Sequence, residues 1–290
     1  MSFDVETARI QEYRNNLDIA LQQRGSKLRG AVTVATYRGK AGKAVERVAP
    51  VTAQRVTARH ADTPLISTPH DARWVYPVDY DWADLVDTFD QLRVGVELTG
   101  AYTMNGAYAL GRAIDDEIIT AFFGAAKTGE NGSTDTAFDT SGQQIASGSA
   151  GLTVAKLKDA KRTLMANEVD LDFDPIYCAI TAAQHDDLLN QIEVTSLDFT
   201  NRPVLTDGRL TSFLGIQFIH TERLGVDGSS DRRVPVWAKS GMHLGLWDDI
   251  VVDIAPRRDK RNAIQVYARV TCGAARLDEK RVVEVLCTES

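Results

Sequence analysis

Residues 31–74 hold too few large apolar side chains to build a hydrophobic core of their own. Short apolar residues are scattered there among Thr, Arg and Gly, which is typical of a long, extended, mostly polar two-stranded excursion. Gly39 and Gly42 bracket its predicted tip. Because an isolated two-stranded hairpin is marginally stable in water, this segment needs another surface to lie on. The scattered residues are Val32, Val34, Val45, Val48, Val51 and Val56.

The same region carries a charge asymmetry that the overall net charge of -7 conceals. Residues 24–59 contain nine Lys and Arg but one acid, Glu46, whereas the acidic segment that follows has five Asp and no basic residue among them. A basic arm next to an acidic body can bind nucleic acid, or it can bind the acidic body of another copy. A plain solvated charge run is the third interpretation. The aspartates are Asp79, Asp81, Asp84, Asp87 and Asp90.

The helices are predicted from apolar spacing. An amphipathic helix is expected over Val5–Leu28 with Gly25 as a stop, and the acidic segment is expected to turn helical at about Asp81. The clearest pattern runs from Leu98 to Phe123, followed by Gly124. One apolar face in that helix is expected to pack on the body. It comprises Ala107, Leu110, Ile114, Ile118 and Ala121.

After a polar loop at Lys127–Gly151, the remaining pattern is a second helix followed by a β-rich third of the chain. The second helix is predicted at Val154–Ala166, then a strand at Ile176–Ile180 and a short helix at Ala182–Gln191. Turn signals are read at Asp227-Gly228, Pro235 and Pro256. The fold class is therefore α+β. The remaining strands are predicted at Phe213–His220, Val234–Ala238, His243–Leu246, Ile250–Ile254, Ile264–Ala274 and Val282–Cys287.

Composition excludes several classes of protein. No apolar run approaches the ~18 residues that a membrane-spanning helix needs, and the first residues lack the apolar region of a secretory signal. Three widely spaced cysteines, Cys178, Cys272 and Cys287, do not suit a disulfide framework and fit a reducing compartment. We expect a soluble protein without a membrane partner.

Motifs for catalysis, cofactors and metals are missing from the sequence. The lysines at Lys40 and Lys43 follow glycines but lack the spacing of a phosphate-binding loop, and no dinucleotide, zinc-helix or nucleophile-elbow pattern occurs. Asp170, Asp172 and Asp174 resemble the start of a calcium loop whose later positions are absent. We expect no enzyme, no cofactor and no metal.

Cys178 and His185 are the remaining candidates for a catalytic role. Cys178 and His185 would be a nucleophile and its base, but Cys178 lies in an apolar strand, where a buried, unreactive thiol is expected. Arg112, Asp115 and Asp116 have the spacing of intrahelical pairs and need no functional role.

Short strings along nearly the whole chain resemble one branch of the major capsid proteins of tailed bacteriophages, which have the Hong Kong 97-type fold. The order and spacing of these strings together carry the resemblance. The strings are QQRGSKL (22–28), YDW (80–82), GRAIDDEI (111–118), FLGIQFI (213–219), HLGLWDDI (243–250) and GAAR (273–276).

The resemblance implies a division of the chain into the named parts of that fold. The N-terminal arm would be residues 1–30, the extended loop (E-loop) 31–75, and the peripheral domain 76–173 with a spine helix at 98–123. The axial domain would be residues 174–277, and residues 278–290 would return to the peripheral domain as a C-terminal strand.

The resemblance also implies a function. The chain would be a structural major capsid protein that forms hexamers and pentamers of an icosahedral phage head around double-stranded DNA, without sequence-specific binding. Implied partners are other copies, a separate scaffolding protein, a portal protein and decoration proteins. Assembly would take place in the host bacterial cytoplasm. Some relatives crosslink a loop lysine to a neighbour, and Lys40 and Lys43 lie near that place.

Alternatives remain at this point. An encapsulin-type nanocompartment shares the fold but encloses cargo enzymes, and gene neighbours would separate the two. An enzyme with an unrecognised site is the third class, which a deep polar pocket would reveal. For the charge asymmetry we hypothesise that basic residues of the loop lie on the acidic surface of an adjacent subunit. The candidates are Arg38, Lys40, Lys43, Arg47, Arg55 and Arg59 against Asp79, Asp81, Asp84, Asp87 and Asp90.

Overall fold

The computed structural model describes residues 22–56, 59, 63, 65–86, 98–191, 194 and 210–289, and their architecture is α+β. Three α-helices lie in these ranges: α1 (Leu98–Phe123), α2 (Val154–Ala166) and α3 (Ala182–Leu189). None of the helices in the described part of the chain is long and apolar enough to cross a membrane.

Fourteen strands lie in the same ranges. They are, in chain order, β1 (Thr33–Thr36), β2 (Gly42–Val48), β3 (His70–Val75), β4 (Val78–Val86), β5 (Ala126–Thr128), β6 (Thr134–Thr136), β7 (Gln144–Ile145), β8 (Ile176–Ile180), β9 (Ser212–Phe213), β10 (Ile216–His220), β11 (Arg232–Ala238), β12 (Met242–Arg257), β13 (Ala263–Arg276) and β14 (Val282–Cys287).

The strands form three sheets. The first has the order β1-β12-β13-β4, with β1 parallel to β12 and the other pairs antiparallel. The second has the order β7-β14-β11-β8-β10-β9. The third, β2-β3-β5-β6, contains the antiparallel pair β2–β3, in which Gly42 lies opposite Val75 and Val48 opposite His70. We call residues 37–76, which connect β1 to β4, the extended loop.

The long helix α1 forms as its apolar spacing predicts, with the predicted bounds. It packs on β13, β4 and β12 of the first sheet. On the predicted face Leu110, Ile114 and Ile118 are buried, while Ala107 and Ala121 are partly buried. The Gly124 N–H donates to the Thr120 carbonyl, which closes the last turn. The helix thus lies across one face of the first sheet.

A buried tryptophan joins α1 to the second sheet. The Trp237 side chain, in β11, is fully buried, and its ring centroid lies 4.6 Å from that of Phe122 at the end of α1. The Trp237 Nε1–H donates to the Ala31 carbonyl over 2.9 Å. A buried indole N–H needs such a partner. The contact therefore fixes the chain just before β1 as well as the helix.

Several predicted elements are confirmed and others are wrong. The bounds of α2, β8 and β14 match, but His243–Leu246 and Ile250–Ile254 belong to one strand of 16 residues, β12, interrupted by register shifts near Asp248. Phe213–His220 is instead two strands joined by a turn at Leu214 and Gly215, both with positive φ. The predicted loop at 127–151 contains β5 (in part), β6 and β7.

The prediction of a helix from about Asp81 is wrong for residues 81–86, because residues 78–86 form strand β4. Tyr80 and Trp82 face α1, as shown by the Tyr80 hydroxyl donating to Glu117 and by the Trp82 ring lying against Gly106. That alternation has the two-residue period of a strand. Residues 87–97, which include Asp87 and Asp90, lie outside the described residues.

The predicted N-terminal helix Val5–Leu28 lies largely outside the described residues, and residues 22–28 are not helical. They lead irregularly into a 3-10 turn at Arg29–Ala31. The predicted tip at Gly39 and Gly42 is also wrong. Those glycines flank the connection from β1, in the first sheet, to β2, so the two-stranded part begins at Gly42 and its far end lies between residues 49 and 69.

The predicted domain boundaries do not follow the sheets. Strands β12 and β13, assigned to the axial part, share a sheet with β4 and contact α1. Strand β14, assigned to the peripheral part, lies inside the second sheet between β7 and β11. Sequence separation alone does not show which long strands pair.

A buried carboxylate in α1 holds the chain that precedes β1. Asp115 is fully buried and accepts four hydrogen bonds: from the backbone N–H groups of Lys27 (2.9 Å) and Leu28 (3.1 Å) and from the side chains of Gln23 and Ser26 (2.5 Å each). The intrahelical pairing expected for Asp115 and Asp116 is therefore wrong. Asp116 instead pairs with Arg223.

Asp115 gives the first prediction. Replacing Asp115 by Ala leaves two buried backbone donors without acceptors, and a hydrogen bond to a charged group contributes about 1.5–3 kcal/mol. We expect Asp115→Ala to lower the free energy of unfolding by about 3 kcal/mol, measured by urea denaturation of the unassembled subunit. The neighbouring Asp116→Ala, at an exposed ion pair, should cost less than about 1 kcal/mol. Equal losses would refute the anchoring role of Asp115.

Candidate functional site

The base of the extended loop lies flat on the first sheet because two glycines there leave room for it. A Cβ added to Gly273 of β13 would come within 2.0 Å of the Tyr76 carbonyl oxygen. A Cβ on Gly245 of β12 would come within 2.9 Å of the Tyr37 ring. Neither contact distance is tolerable for a real side chain. Gly245 and Gly273, which we call the glycine floor, therefore position both ends of the loop where they cross the sheet.

Arginines at the base join the loop to the chain that follows β13. Arg73 of β3 is almost completely buried, donates two hydrogen bonds to Glu279 (2.9 and 2.8 Å) and one to the Leu277 carbonyl (3.1 Å). Arg47 of β2 forms ion pairs with Asp278 (3.0 Å) and Glu279 (3.6 Å). Both strands of the loop are thus held at the same turn.

Beyond that base, the loop presents apolar side chains that the described residues leave uncovered. Leu65 is fully exposed and Val56 is 81% exposed. Val48, Val51 and Ile66 are exposed as well. A concentration of bare aliphatic groups on one extended segment is typical of a protein–protein contact.

A histidine stands beneath the loop base. His243 of β12 is buried, its Nδ1 lies 3.0 Å from the Thr33 hydroxyl and its Nε2 lies 2.8 Å from the Tyr37 hydroxyl. The Thr33 hydroxyl donates to the Met242 carbonyl, so it accepts from Nδ1–H, and Tyr37 in turn donates to Nε2. Burial lowers the pKa of His243 and so favours the neutral ring, in which Tyr37 donates to Nε2.

The structure separates the six basic candidates into two groups. Arg47 is held by its own subunit, as described, and Lys43 pairs with Glu46 over 3.1 Å. The other four are exposed and form no ion pair with another described residue. These free cations of the loop are Arg38, Lys40, Arg55 and Arg59.

The acidic candidates do not form one surface. Asp79, Asp81 and Asp84 of β4 are all exposed. Strand alternation places Asp79 and Asp81 on the sheet face away from α1, and Asp84 on the face of Tyr80 and Trp82. A single contact therefore cannot engage all three.

Residues considered for chemistry have ordinary structural surroundings. Cys178, Cys272 and Cys287 are buried, and burial raises the pKa of the Cys272 and Cys287 thiols to about 12 and that of Cys178 well above its usual value. His185 Nε2 accepts from the Leu210 backbone N–H. Among the described residues, no group of His, Cys, Asp or Glu is arranged to hold a metal ion.

Sequence reasoning missed the residues that hold the loop base. Arg73, Glu279 and Tyr37 carry no motif, because each acts through a partner distant in sequence. The strings HLGLWDDI and GAAR do contain His243, Gly245 and Gly273. A glycine inside a strand pattern signals close approach of another backbone, and that signal could have located the floor.

Comparisons with known proteins agree with this architecture. The family model described as "Phage capsid protein" matches residues 5–289, so the chain belongs to the phage capsid protein family. It is a structural major capsid protein, a component of the virion capsid, and the family does not favour the encapsulin or enzyme alternatives. No curated protein sequence matches significantly.

Solved phage capsids share the fold at low sequence identity. The capsid of cyanophage P-SCSP1u is similar with a TM-score of 0.74 at 14% identity, covering 99% of this chain and 95% of that one. Cyanophage Pam1 gives 0.74 at 12% identity over 98% and 97%. A structure of Mycobacterium phage Che8 gives 0.69 at 16% over 94% and 95%. The predicted capsid fold is confirmed at this level.

The glycine floor gives the second prediction. Because a methyl group on Gly273 meets the Tyr76 backbone, Gly273→Ala should lower the free energy of unfolding by roughly 1–3 kcal/mol, the usual cost of overpacking. Gly225→Ala is the control, since a Cβ there has nothing within 4 Å. That change should stay within about 0.5 kcal/mol. A neutral Gly273→Ala in urea denaturation would show that the loop does not lie on the sheet.

The buried imidazole gives the third prediction. His243 has a lower pKa folded than unfolded, so the unfolded chain binds more protons as the pH falls below about 6.5. Stability is fully present above that pH and is lost below it, by up to about 1.4 kcal/mol per pH unit.

Thermal unfolding between pH 7.5 and pH 5.5 measures this loss. His243→Gln should flatten the dependence of Tm on pH relative to the unmodified chain measured in the same buffers. An unchanged slope in His243→Gln would contradict the neutral, buried ring.

Proposed function

We propose that this subunit forms hexamers and pentamers of an icosahedral phage head that encloses double-stranded DNA. In this proposal the extended loop is the E-loop of a Hong Kong 97-type fold and α1 is its spine helix. The observation that carries the proposal is the loop itself: it is held at its base, and beyond the base the aliphatic side chains that the structure describes are exposed. Family membership and the similarity to solved phage capsids support the same conclusion.

Free-energy contributions indicate which residues of the loop would stabilise its contact with a neighbouring subunit. Burying an exposed Val or Leu side chain contributes about 1.5–3 kcal/mol. An exposed ion pair contributes about 0–1 kcal/mol. Val51, Val56, Leu65 and Ile66 would therefore supply most of the affinity when the loop lies on a neighbouring subunit. The contact recurs in every subunit, so modest terms combine over a closed shell.

The four free cations of the loop would then guide docking rather than hold the shell together. Arg38, Lys40, Arg55 and Arg59 would approach acidic groups of the neighbour, for which exposed Asp84 is one candidate. Such steering weakens as the screening length falls from about 8 Å at physiological salt to about 3 Å at 1 M. The rival arrangement places these cations against packaged DNA, where salt acts through counterion release.

Other partners follow from the family resemblance. We propose a separate scaffolding protein, a portal protein at one vertex, and assembly in the host cytoplasm. Decoration proteins and a lysine crosslink through Lys40 or Lys43 would be further features of the same shell. DNA would be enclosed without sequence-specific contacts.

Shell formation by the full chain tests the proposed function. Expressed with its scaffolding protein, the chain should yield closed particles on a sucrose gradient and in negative-stain micrographs. A species that stays monomeric at 31.8 kDa at high concentration would contradict the proposal.

Two sets of loop variants form the fourth prediction. Val56→Ser with Leu65→Ser should abolish shells, because the apolar contact is lost, while Met165→Ser, exposed on α2, should assemble normally. Changing the four free cations to Ser should slow empty-shell assembly in low salt and remove its salt dependence. If empty shells form at the normal rate and DNA filling alone suffers, the cations face the genome.

A further inference from the structure

The hairpin of β12 and β13 ends in a strongly basic turn that sequence analysis did not single out. Residues 257–262 contain Arg257, Arg258, Lys260 and Arg261 with one acid, Asp259. Asp259 pairs with Arg257 over 2.5 Å, and the other three cations are exposed without an ion-pair partner among the described residues. Arg261 and Asn262 adopt positive φ, which reverses the chain tightly. We call residues 257–262 the basic tip.

The face of the first sheet that lies away from α1 carries a negatively charged groove. Its volume is about 490 Å³, and Asp79 and Asp81 of β4 line one side. Asp248 of β12 is paired with Arg269 of β13 over 3.2 Å, which leaves the two β4 carboxylates in excess. We call this the acidic groove. Its lining includes Asp79, Asp81, Asp248, Tyr267, Arg269 and Thr271.

The charge of the groove continues along the sheet toward the tip. Asp253 lies opposite Tyr267 in the β12–β13 ladder, and directly opposed residues share a face of the sheet. Asp79 accepts a hydrogen bond from the Thr271 hydroxyl over 2.7 Å, which fixes that carboxylate in place. Asp81 has no hydrogen-bond or ion-pair partner among the described residues. An ordered, uncompensated anionic strip of this kind suits a narrow cationic element.

The basic tip cannot fill the groove of its own subunit. Asp81 is level with Arg269 in the sheet, whereas the hairpin ends at the pair of Arg257 and Ala263. Six residues of strand separate these two levels, a distance of about 20 Å at ~3.4 Å per residue. The continuous ladder between them keeps the tip pointing away from the groove. The basic tip can therefore reach such a groove only on a second copy.

We propose that the basic tip of one subunit docks in the acidic groove of another copy of this chain. The proposal rests on the proposed shell function and assigns a second inter-subunit contact, separate from the extended loop. Charge complementarity identifies the occupant: three free cations within four consecutive positions meet the excess carboxylates Asp79 and Asp81. A two-stranded turn is also narrow enough to enter a groove. In this contact Asp79 and Asp81 pair with the tip rather than with the free cations of the loop.

Charge reversal tests the contact in full-length subunits expressed with their scaffolding protein. One variant reverses the tip (Arg258→Glu with Lys260→Glu), a second reverses the groove (Asp79→Lys with Asp81→Lys), and a third carries all four changes. A fourth variant reverses the groove together with the loop cations Arg38 and Lys40. Light scattering follows assembly, and circular dichroism checks the fold. Asp79→Asn with Asp81→Asn replaces the groove reversal if Lys misfolds.

We expect each single reversal to slow assembly by about tenfold or more, because like charges then face each other. The four-change variant should recover to within about threefold of wild type, and a mixture of tip-reversed and groove-reversed subunits should co-assemble. The variant with reversed loop cations should not recover. Recovery by the loop variant, normal rates in either single reversal, or a defect confined to DNA filling would overturn the tip contact. Wild-type protein that never forms shells would instead refute the proposed function.

Discussion

One buried guanidinium joins the end of α1, the end of β13 and the base of the extended loop. Arg276, at the end of β13, is fully buried and donates to the carbonyls of Phe122 (2.7 Å) and Gly124 (2.8 Å), where α1 ends. A cation at a helix C-terminus is favoured by the helix dipole and satisfies carbonyls that have no partner in the helix. Arg276 also lies 3.8 Å from Glu279, which binds Arg73 of the extended loop. Burial lowers the pKa of Arg276, and the nearby Glu279 carboxylate opposes that shift.

That constraint gives the extended loop two unlike halves. Near the sheet, Arg47 and Arg73 hold both strands to residues 277–279, and Tyr37 and Tyr76 rest on glycines that admit no side chain. Farther out, aliphatic side chains such as Leu65 are exposed in the part of the loop that the structure describes. Because the base is already ordered within the subunit, only the residues beyond it lose conformational freedom on assembly. In the proposed shell the charged groups would act on the approach of subunits, because exposed ion pairs contribute little to the final contact.

Local patterns predicted α1, α2, β8 and β14 because each buries a face that its own spacing reveals. Strand β4 was mistaken for a helix since Trp82, Leu85 and Val86 also fit helical spacing, and the pairing with β13 decided the outcome. Pro235 and Pro256 suggested turns, yet each lies in a strand at a position with one paired neighbour, where a missing N–H costs no ladder bond. Asp115 and Arg276 gave no signal in the sequence, because their partners lie far along the chain. The free cations and exposed aspartates were identified, but which of them share a surface depended on strand alternation.

Hydrogen–deuterium exchange on free subunits and on purified empty shells tests the central claim most directly: that the extended loop is held at its base and finds its cover on another subunit. The account predicts that residues 49–56 and 65–69 exchange rapidly in the free subunit and become strongly protected in shells. Residues 70–75 and the helix at 98–123 should be protected in both states, because their partners are within the chain. Rapid exchange of residues 49–56 and 65–69 in closed shells would contradict the account, since the loop would then remain uncovered after assembly.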